Sequence, residues 1–224
     1  MNEKEQLLIP SPVEDRISSI SEEELSFRGW TRDLMRERFL ERMRLDLNSP
    51  QVGEEAPDFE LELLSKNGER SGQKLKLSSL RGKPTGLIFG SYTWPPFRQE
   101  AVRLEKIARQ FSQKFNFLCI YIKEAHPIDG SQSPPNLIDD ILFKQPTSMD
   151  ERAEIASACM LRFNFSFPMV LDSMSDYVEK AYMAMPERLY ILDSFGTVTW
   201  KCGLGPHLFD LVGFEQKIKD LSDN

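Results

Sequence analysis

The sequence predicts an α/β domain that opens with a β-hairpin and is preceded by a helical extension. Three observations predict it. Short apolar runs, "TGLIFG" at 85–90 and "FNFLCIYI" at 115–122, have the composition of strands buried on both faces. Stretches with apolar residues at helical spacing alternate with them. The first 50 residues differ from the rest, being dense in charge and patterned as helix rather than strand.

In the extension, Ser21 followed by Glu24 fits a capping box. The following "LSFRGWTRDLMRERFLERMRLDL" sets Trp30, Leu34 and Phe39 among charges, which predicts one long surface helix with an apolar stripe. That helix reads equally as a solvated helix packed on the main domain or as a docking or dimerising element. Asn48-Ser49-Pro50 ends it, so the extension is set at residues 1–50 and the main domain at 51–224.

In the main domain "FELELL" alternates, Asn67-Gly68 turns the chain and "KLKL" resumes, which predicts the hairpin. The loop "SSLRGKP" leads to the central strand "TGLIFGS", then a Pro95-Pro96 turn and a helix. Leu104, Ile107, Ala108, Phe111 and Phe115 form the core face of that helix. The second buried strand is followed by a Pro- and Gly-rich loop over 123–140, long enough to suggest function. The rest reads helix ("MDERAEIASACMLRF"), strand ("MVLD"), helix ("DYVEKAYMAM"), strand ("RLYILD"), strand ("TVTWK") and helix ("LFDLVGFEQKIKDL"), with Asp193 to Gly196 turning the last hairpin. This order is that of a thioredoxin-like fold with an N-terminal β-hairpin. Chemistry in such α/β sheets sits where a central strand ends and the next helix begins, which places it at "SYTWPP", residues 91–96.

Composition narrows the function. With 40% hydrophobic and 28% charged residues, the chain reads as soluble and globular. A net charge of −7 argues against non-specific nucleic-acid binding. No apolar run approaches the roughly 20 residues of a membrane span, and the start lacks the apolar core of a secretion signal; a cytoplasmic location is expected. Cys119, Cys159 and Cys202 form no CxxC pair, which excludes a disulfide framework or zinc site on spacing. Cys119 and Cys159 read as buried hydrophobes, and Cys202, just after a strand, is expected to be the most exposed. His207, after Gly205-Pro206, reads as a surface or capping residue opening the last helix.

Five segments in order, "GKPTGLIFGSYTWPPF", "YIKEAHPIDG", "KQPTSMDER", "FPMVLD" and "MPERLYILD", resemble the iodothyronine deiodinases over roughly Leu77 to Pro206. These are thioredoxin-fold selenoenzymes that remove iodine from thyroid hormones by reduction with a thiol cosubstrate. The hairpin and "LSSLRGKP" also fit the peroxiredoxin-like branch of the fold. The resemblance implies reductive removal of iodine or another halogen from an iodothyronine-like phenol, an external thiol reductant, no bound cofactor or metal, and a homodimer. It puts the family selenocysteine at Trp94, a cysteine of many members at Tyr92, and the substrate-binding and proton-relaying acid and histidine at Glu124 and His126. Arg152 matches a family arginine. Phe167 stands where vertebrate members often carry cysteine, and Pro168 is expected to be a cis-proline facing the site. Thr93, Pro95 and Phe97 complete the expected substrate surroundings. A family histidine is missing at Pro146, and no counterpart of the vertebrate membrane anchor is expected.

Reductive deiodination needs a soft nucleophile that can take iodine. A thiolate at a helix N-terminus ionises readily because the helix dipole favours the anion; a selenol ionises more readily still. Indole offers only an N–H donor and a π face, so Trp94 cannot perform this step. Glu124 and His126, two apart on an extended loop, can project to one side, where His126 could deliver a proton; from the residues alone, His126 reads as a hydrogen-bonded loop residue stiffened by Pro127. Tyr92 offers a phenolic proton or a packing ring. Three accounts of Trp94 stand: a UGA codon for selenocysteine translated as tryptophan; an inactive member binding an aromatic ligand or partner protein through Tyr92, Trp94, Phe97 and Phe167; or redox chemistry moved to Cys202.

Overall fold

The computed structural model describes residues 7–223 and divides into two compact units, Met1–Ser49 and Pro50–Asn224. The first unit contains α1 (Ser11–Ser19), α2 (Glu22–Arg28) and α3 (Arg32–Asp46). The capping box forms, with the Ser21 hydroxyl accepting from Glu24 N. The expected long helix is broken in two, because Gly29 takes a left-handed φ of 63° and closes α2. The Thr31 hydroxyl then accepts from Leu34 N and opens α3. Arg36 of α3 holds Glu14 of α1 at 3.0 Å through Nε, an exposed pairing that solvent screens and that adds little to stability.

The second unit is built on a seven-stranded sheet in the order β2-β1-β5-β4-β3-β6-β7. β1 (Glu60–Leu64) and β2 (Arg70–Lys76) form the hairpin, with Gly68 at φ 82° in its turn. A single 3-10 turn, Leu77–Leu80, leads to β3 (Thr85–Gly90), which runs parallel to β4 (Asn116–Tyr121) from Thr85↔Asn116 to Gly90↔Tyr121. β4 also pairs parallel with β5 (Met169–Leu171). β6 (Arg188–Leu192) lies antiparallel on the other side of β3, with Phe89 opposite Arg188, and β7 (Val198–Lys201) closes that edge. Every residue of β3 is buried, which is why its sequence is a continuous apolar run rather than an alternating one.

α4 (Pro95–Phe111), α6 (Met149–Phe163) and α8 (Leu211–Ser222) supply the core on one face of the sheet, including Leu104, Ala156 and Phe214. The other face is covered by Leu77, Phe59, Tyr182 and the short α7 (Tyr177–Ala181). The long loop contains a brief helix, α5 (Pro134–Ile138). The last helix is capped by Asp210, whose carboxylate accepts from Gly213 N at 2.8 Å. His207 therefore precedes the helix instead of opening it. Cys202 is only 2% exposed, as enclosed as the other two cysteines, because its Sγ accepts from Leu189 N on the neighbouring strand.

The cis-proline expectation is corrected. Cis peptide bonds stand at Met185–Pro186 and Gly205–Pro206, and Pro168 is exposed at the entry to β5. Its carbonyl accepts from Cys119 N at 3.0 Å, so it extends the β4–β5 ladder. Pro186 is buried just before β6, and the β3–β6 register puts it beside the end of β3.

Candidate functional site

The end of β3 and the start of α4 are forced together. A Cβ on Gly90 would lie 2.3 Å from the Phe97 ring, so only glycine lets the helix begin directly over the strand end. Between them, the Trp94 N–H donates to Ser91 O and its carbonyl accepts from Arg98 N. Trp94 is the N-cap residue of α4, and Pro95 and Pro96 fill the first positions, where a missing N–H costs nothing. No side chain caps this end, so the helix's partial positive charge is directed at position 94.

Facing this turn is the segment after β4. Glu124, 3% exposed, accepts from both Thr93 N (3.0 Å) and the Thr93 hydroxyl (2.6 Å) through Oε2. Its Oε1 accepts from the Tyr121 hydroxyl, which itself accepts from Tyr92 N. Burial raises the Glu124 carboxyl above the ordinary value, with these donors and the nearby Arg152 charge opposing the rise. His126 N donates to the Thr93 hydroxyl. Its Nδ1 lies 2.6 Å from Ser131 O; a carbonyl only accepts, so Nδ1 carries the proton and Nε2 is the nitrogen that can take up and release another. The imidazole stacks on the Trp94 indole, centroids 5.2 Å apart and planes 29° from parallel.

A third group closes the site. Glu187 follows the cis Met185–Pro186 bond and is 1% exposed. Burial pushes its carboxyl up to about 7, opposed by the indole N–H of Trp94 beside it. The two face each other without closing a hydrogen bond, since neither indole Nε1 nor either carboxylate oxygen has a partner in hydrogen-bonding geometry. Gly205 packs on this residue closely enough that a Cβ there would meet Glu187 Cγ at 2.9 Å.

The structure thus brings Thr93, Trp94, Glu124 and His126 together. Tyr92, Phe97 and Phe167 also converge, as core: all three are buried in one cluster against which Trp94 packs while partly exposed. Tyr92 meets the rings of Phe143 and Phe163 at 5.7 and 6.3 Å. Pro95 is buried in the helix start. Arg152 binds Asp172 O, Ser173 O and the Asp176 carboxylate, so its guanidinium braces the connection between β5 and α7. Burial pushes the Cys202 thiol up to about 11, which keeps it protonated and unfit as a redox nucleophile. A cavity of about 20 Å³ beside Thr85 lies at the opposite end of β3 and has room for a single water.

Sequence reasoning missed Tyr121 and Glu187. Tyr121 sits within an apolar run and reads as core; the one signal was its placement three residues before Glu124. Glu187 was legible only as a carboxylate wedged between a proline and a buried strand.

A family model described as iodothyronine deiodinase matches residues 16–218. The type I iodothyronine deiodinase of Xenopus laevis is 38% identical over 124 residues, covering 55% of this chain and 47% of that protein. Human thyroxine 5-deiodinase is 34% identical over 127 residues, covering 55% of this chain and 39% of that protein. The match thus spans less than half the length of either relative. Among solved structures, the thioredoxin domain of a thiol-disulfide oxidoreductase from Bacteroides vulgatus superposes with a TM-score of 0.52 at 15% identity, covering 77% of this chain and 99% of that one. The fold is thioredoxin-like.

Proposed function

The chain belongs to the iodothyronine deiodinase family, and from that premise we propose that position 94 is the selenocysteine site of a deiodinase-like oxidoreductase, written here as tryptophan because its codon is UGA. The observation that carries this reading is the assembly around position 94 of an uncapped helix N-terminus, the Thr93–Glu124–Tyr121 chain and the His126 imidazole. The hydrogen bonds of this assembly are made without the side chain of residue 94, and only the stacking of the imidazole uses the indole.

In the proposed reaction the selenolate at position 94, favoured by the α4 dipole, attacks the iodine of a halogenated phenol. The carbon–iodine bond breaks, a selenium–iodine bond forms, and the carbon left with the electron pair takes a proton from His126. Two equivalents of an external thiol then reduce the selenenyl iodide, giving selenol, disulfide and hydrogen iodide. Glu124 holds the turn through Thr93 and fixes the histidine segment through the same hydroxyl. Thr93, Pro95, Phe97, Phe167 and Arg152 support the site from behind, and a reducing compartment such as the cytoplasm would supply the thiol. The test is the codon at position 94 together with the intact mass of protein from its native source. UGA and a selenium-bearing mass are expected; UGG and a tryptophan mass overturn the reading.

A second reading is favoured by the seating of the indole between His126 and Glu187. In it the chain is catalytically silent and holds an aromatic ligand or partner protein through Trp94, with Tyr92 and Phe97 as its buried support. Quenching of Trp94 emission by an iodinated phenol, without iodide release, would distinguish it.

A further inference from the structure

The loop that carries His126 is held onto the active-site turn by a second set of bonds, independent of Glu124. Asn136, 1% exposed on α5, is the centre of this set. Its Nδ2 donates to Thr93 O at 2.8 Å and reaches His126 O at 3.4 Å. Its Oδ1 accepts from Arg98 Nη1 at 2.9 Å. Arg98, on the first turns of α4 and only 8% exposed, also donates to Tyr92 O at 2.8 Å and forms an ion pair with Asp139 at 2.8 Å. Two successive carbonyls of the turn, Tyr92 O and Thr93 O, are therefore bound by side chains whose other contacts lie on the loop or on α4.

Such an arrangement has a positional consequence. The amide of Asn136 spans three segments: the residue before position 94, the histidine segment, and the helix whose N-terminus faces position 94. The 123–140 loop is rich in Pro and Gly and has only one short helix of its own. Besides this bracket, the histidine segment meets the turn through His126 N–H, the Glu124 side chain and Ala125 N, which donates to the Ser91 hydroxyl at 3.3 Å. A buried amide with its donors and acceptor engaged fixes orientation as well as distance.

We propose that Arg98 and Asn136 are positioning residues that fix the His126 imidazole over position 94, making the 123–140 loop a locked part of the site. This rests on the reading that His126 serves position 94, but the test reads geometry and does not depend on turnover.

The chain has two histidines and three tryptophans, so the nuclear Overhauser contacts between the His126 and Trp94 rings can be assigned in the intact protein. Asn136→Asp is the decisive variant. It keeps the shape and the acceptor for Arg98, but places an oxygen against Thr93 O and His126 O in place of the donor. Loss of the His126–Trp94 contacts is expected, with the distant Trp200–Phe214 contact, rings 5.9 Å apart, retained as the sign of an intact fold. Persistence of the His126–Trp94 contacts at wild-type intensity overturns the proposal, since a residue that merely fills space tolerates the isosteric change. Should that variant fail to fold, Asp139→Ala carries the test, since it removes the oxygen that accepts from Arg98 Nη2. Asp139 is 44% exposed by its side chain, and removing its charge releases one end of Arg98 and should weaken the same contacts. Unchanged contacts there overturn the proposal as well.

Discussion

Glu187→Gln tests the site's electrostatics most directly. In the folded chain burial raises the Glu187 carboxyl from 4.5 to about 7. In the unfolded chain it keeps its ordinary value, so between these two pH values the folded state holds a proton that the unfolded state has released. Stability from this residue is therefore fully present below about pH 4.5 and is lost as pH rises through about 7. At about 1.36 kcal/mol per unit, a difference of about 2.5 units is worth about 3 kcal/mol. Glu187 is enclosed, so solvent screening does not reduce this figure much. Glutamine keeps the shape and cannot ionise. Urea denaturation of both proteins from about pH 4 to about pH 8.5 isolates the effect, because every other titrating group cancels in the difference. The two should be nearly equal at the acid end. At the alkaline end Glu187→Gln should be more stable by about 3 kcal/mol, or about 1.5 M in urea midpoint for an m-value near 2 kcal/mol/M. A difference curve that stays flat across this range, or one in which the glutamine variant loses stability as pH rises, refutes the assignment of a buried, protonatable carboxyl beside Trp94.

Other consequences follow from the same geometry. Gly90→Ala should destabilise the fold by about 1–3 kcal/mol through overpacking against Phe97, and Phe97→Leu should recover part of that loss in thermal denaturation. Thr93→Val removes the hydroxyl between Glu124 and His126 N; a cost of about 1–3 kcal/mol in urea is expected for leaving the buried Glu124 carboxyl short of a donor. Arg152→Met should lower stability by about 1–3 kcal/mol in thermal denaturation, by leaving Asp172 O and Ser173 O without their donor and Asp176 with Lys123 as its remaining cation. All three thiols should resist a disulfide reagent at neutral pH until denaturant is added, because each is buried.

The sheet and its helices were legible because the buried strands β3 and β4 are continuous apolar runs and α4 carries its core face at regular spacing. The site turn was legible because it falls at the end of β3. What escaped was set by backbone conformation and tertiary fit. Gly29 divides a stretch whose charge pattern is that of one helix, and only its left-handed φ of 63° reveals the break. The cis bond expected at Pro168 lies at Pro186, since both prolines precede buried strands and sequence alone does not say which strand lies beside β3. Cys202 follows a strand edge in sequence, but Leu189 N and the backbone of Asp210 both reach its sulfur and enclose it.

Glu187 and His126 approach position 94 from two different elements, the entry to β6 and the loop after β4. What lies between them is the indole. It stacks on one and faces the other, yet its Nε1 closes no hydrogen bond with either. The backbone of residue 94 makes all the hydrogen bonds that tie it to the turn and to α4, so the frame does not depend on the side chain it carries. A smaller side chain there, a selenol above all, would leave the volume of the indole available between an imidazole that can give a proton and a carboxyl poised near neutral pH. The tryptophan and the proposed chemistry thus require the same space, and the codon decides which of them holds it.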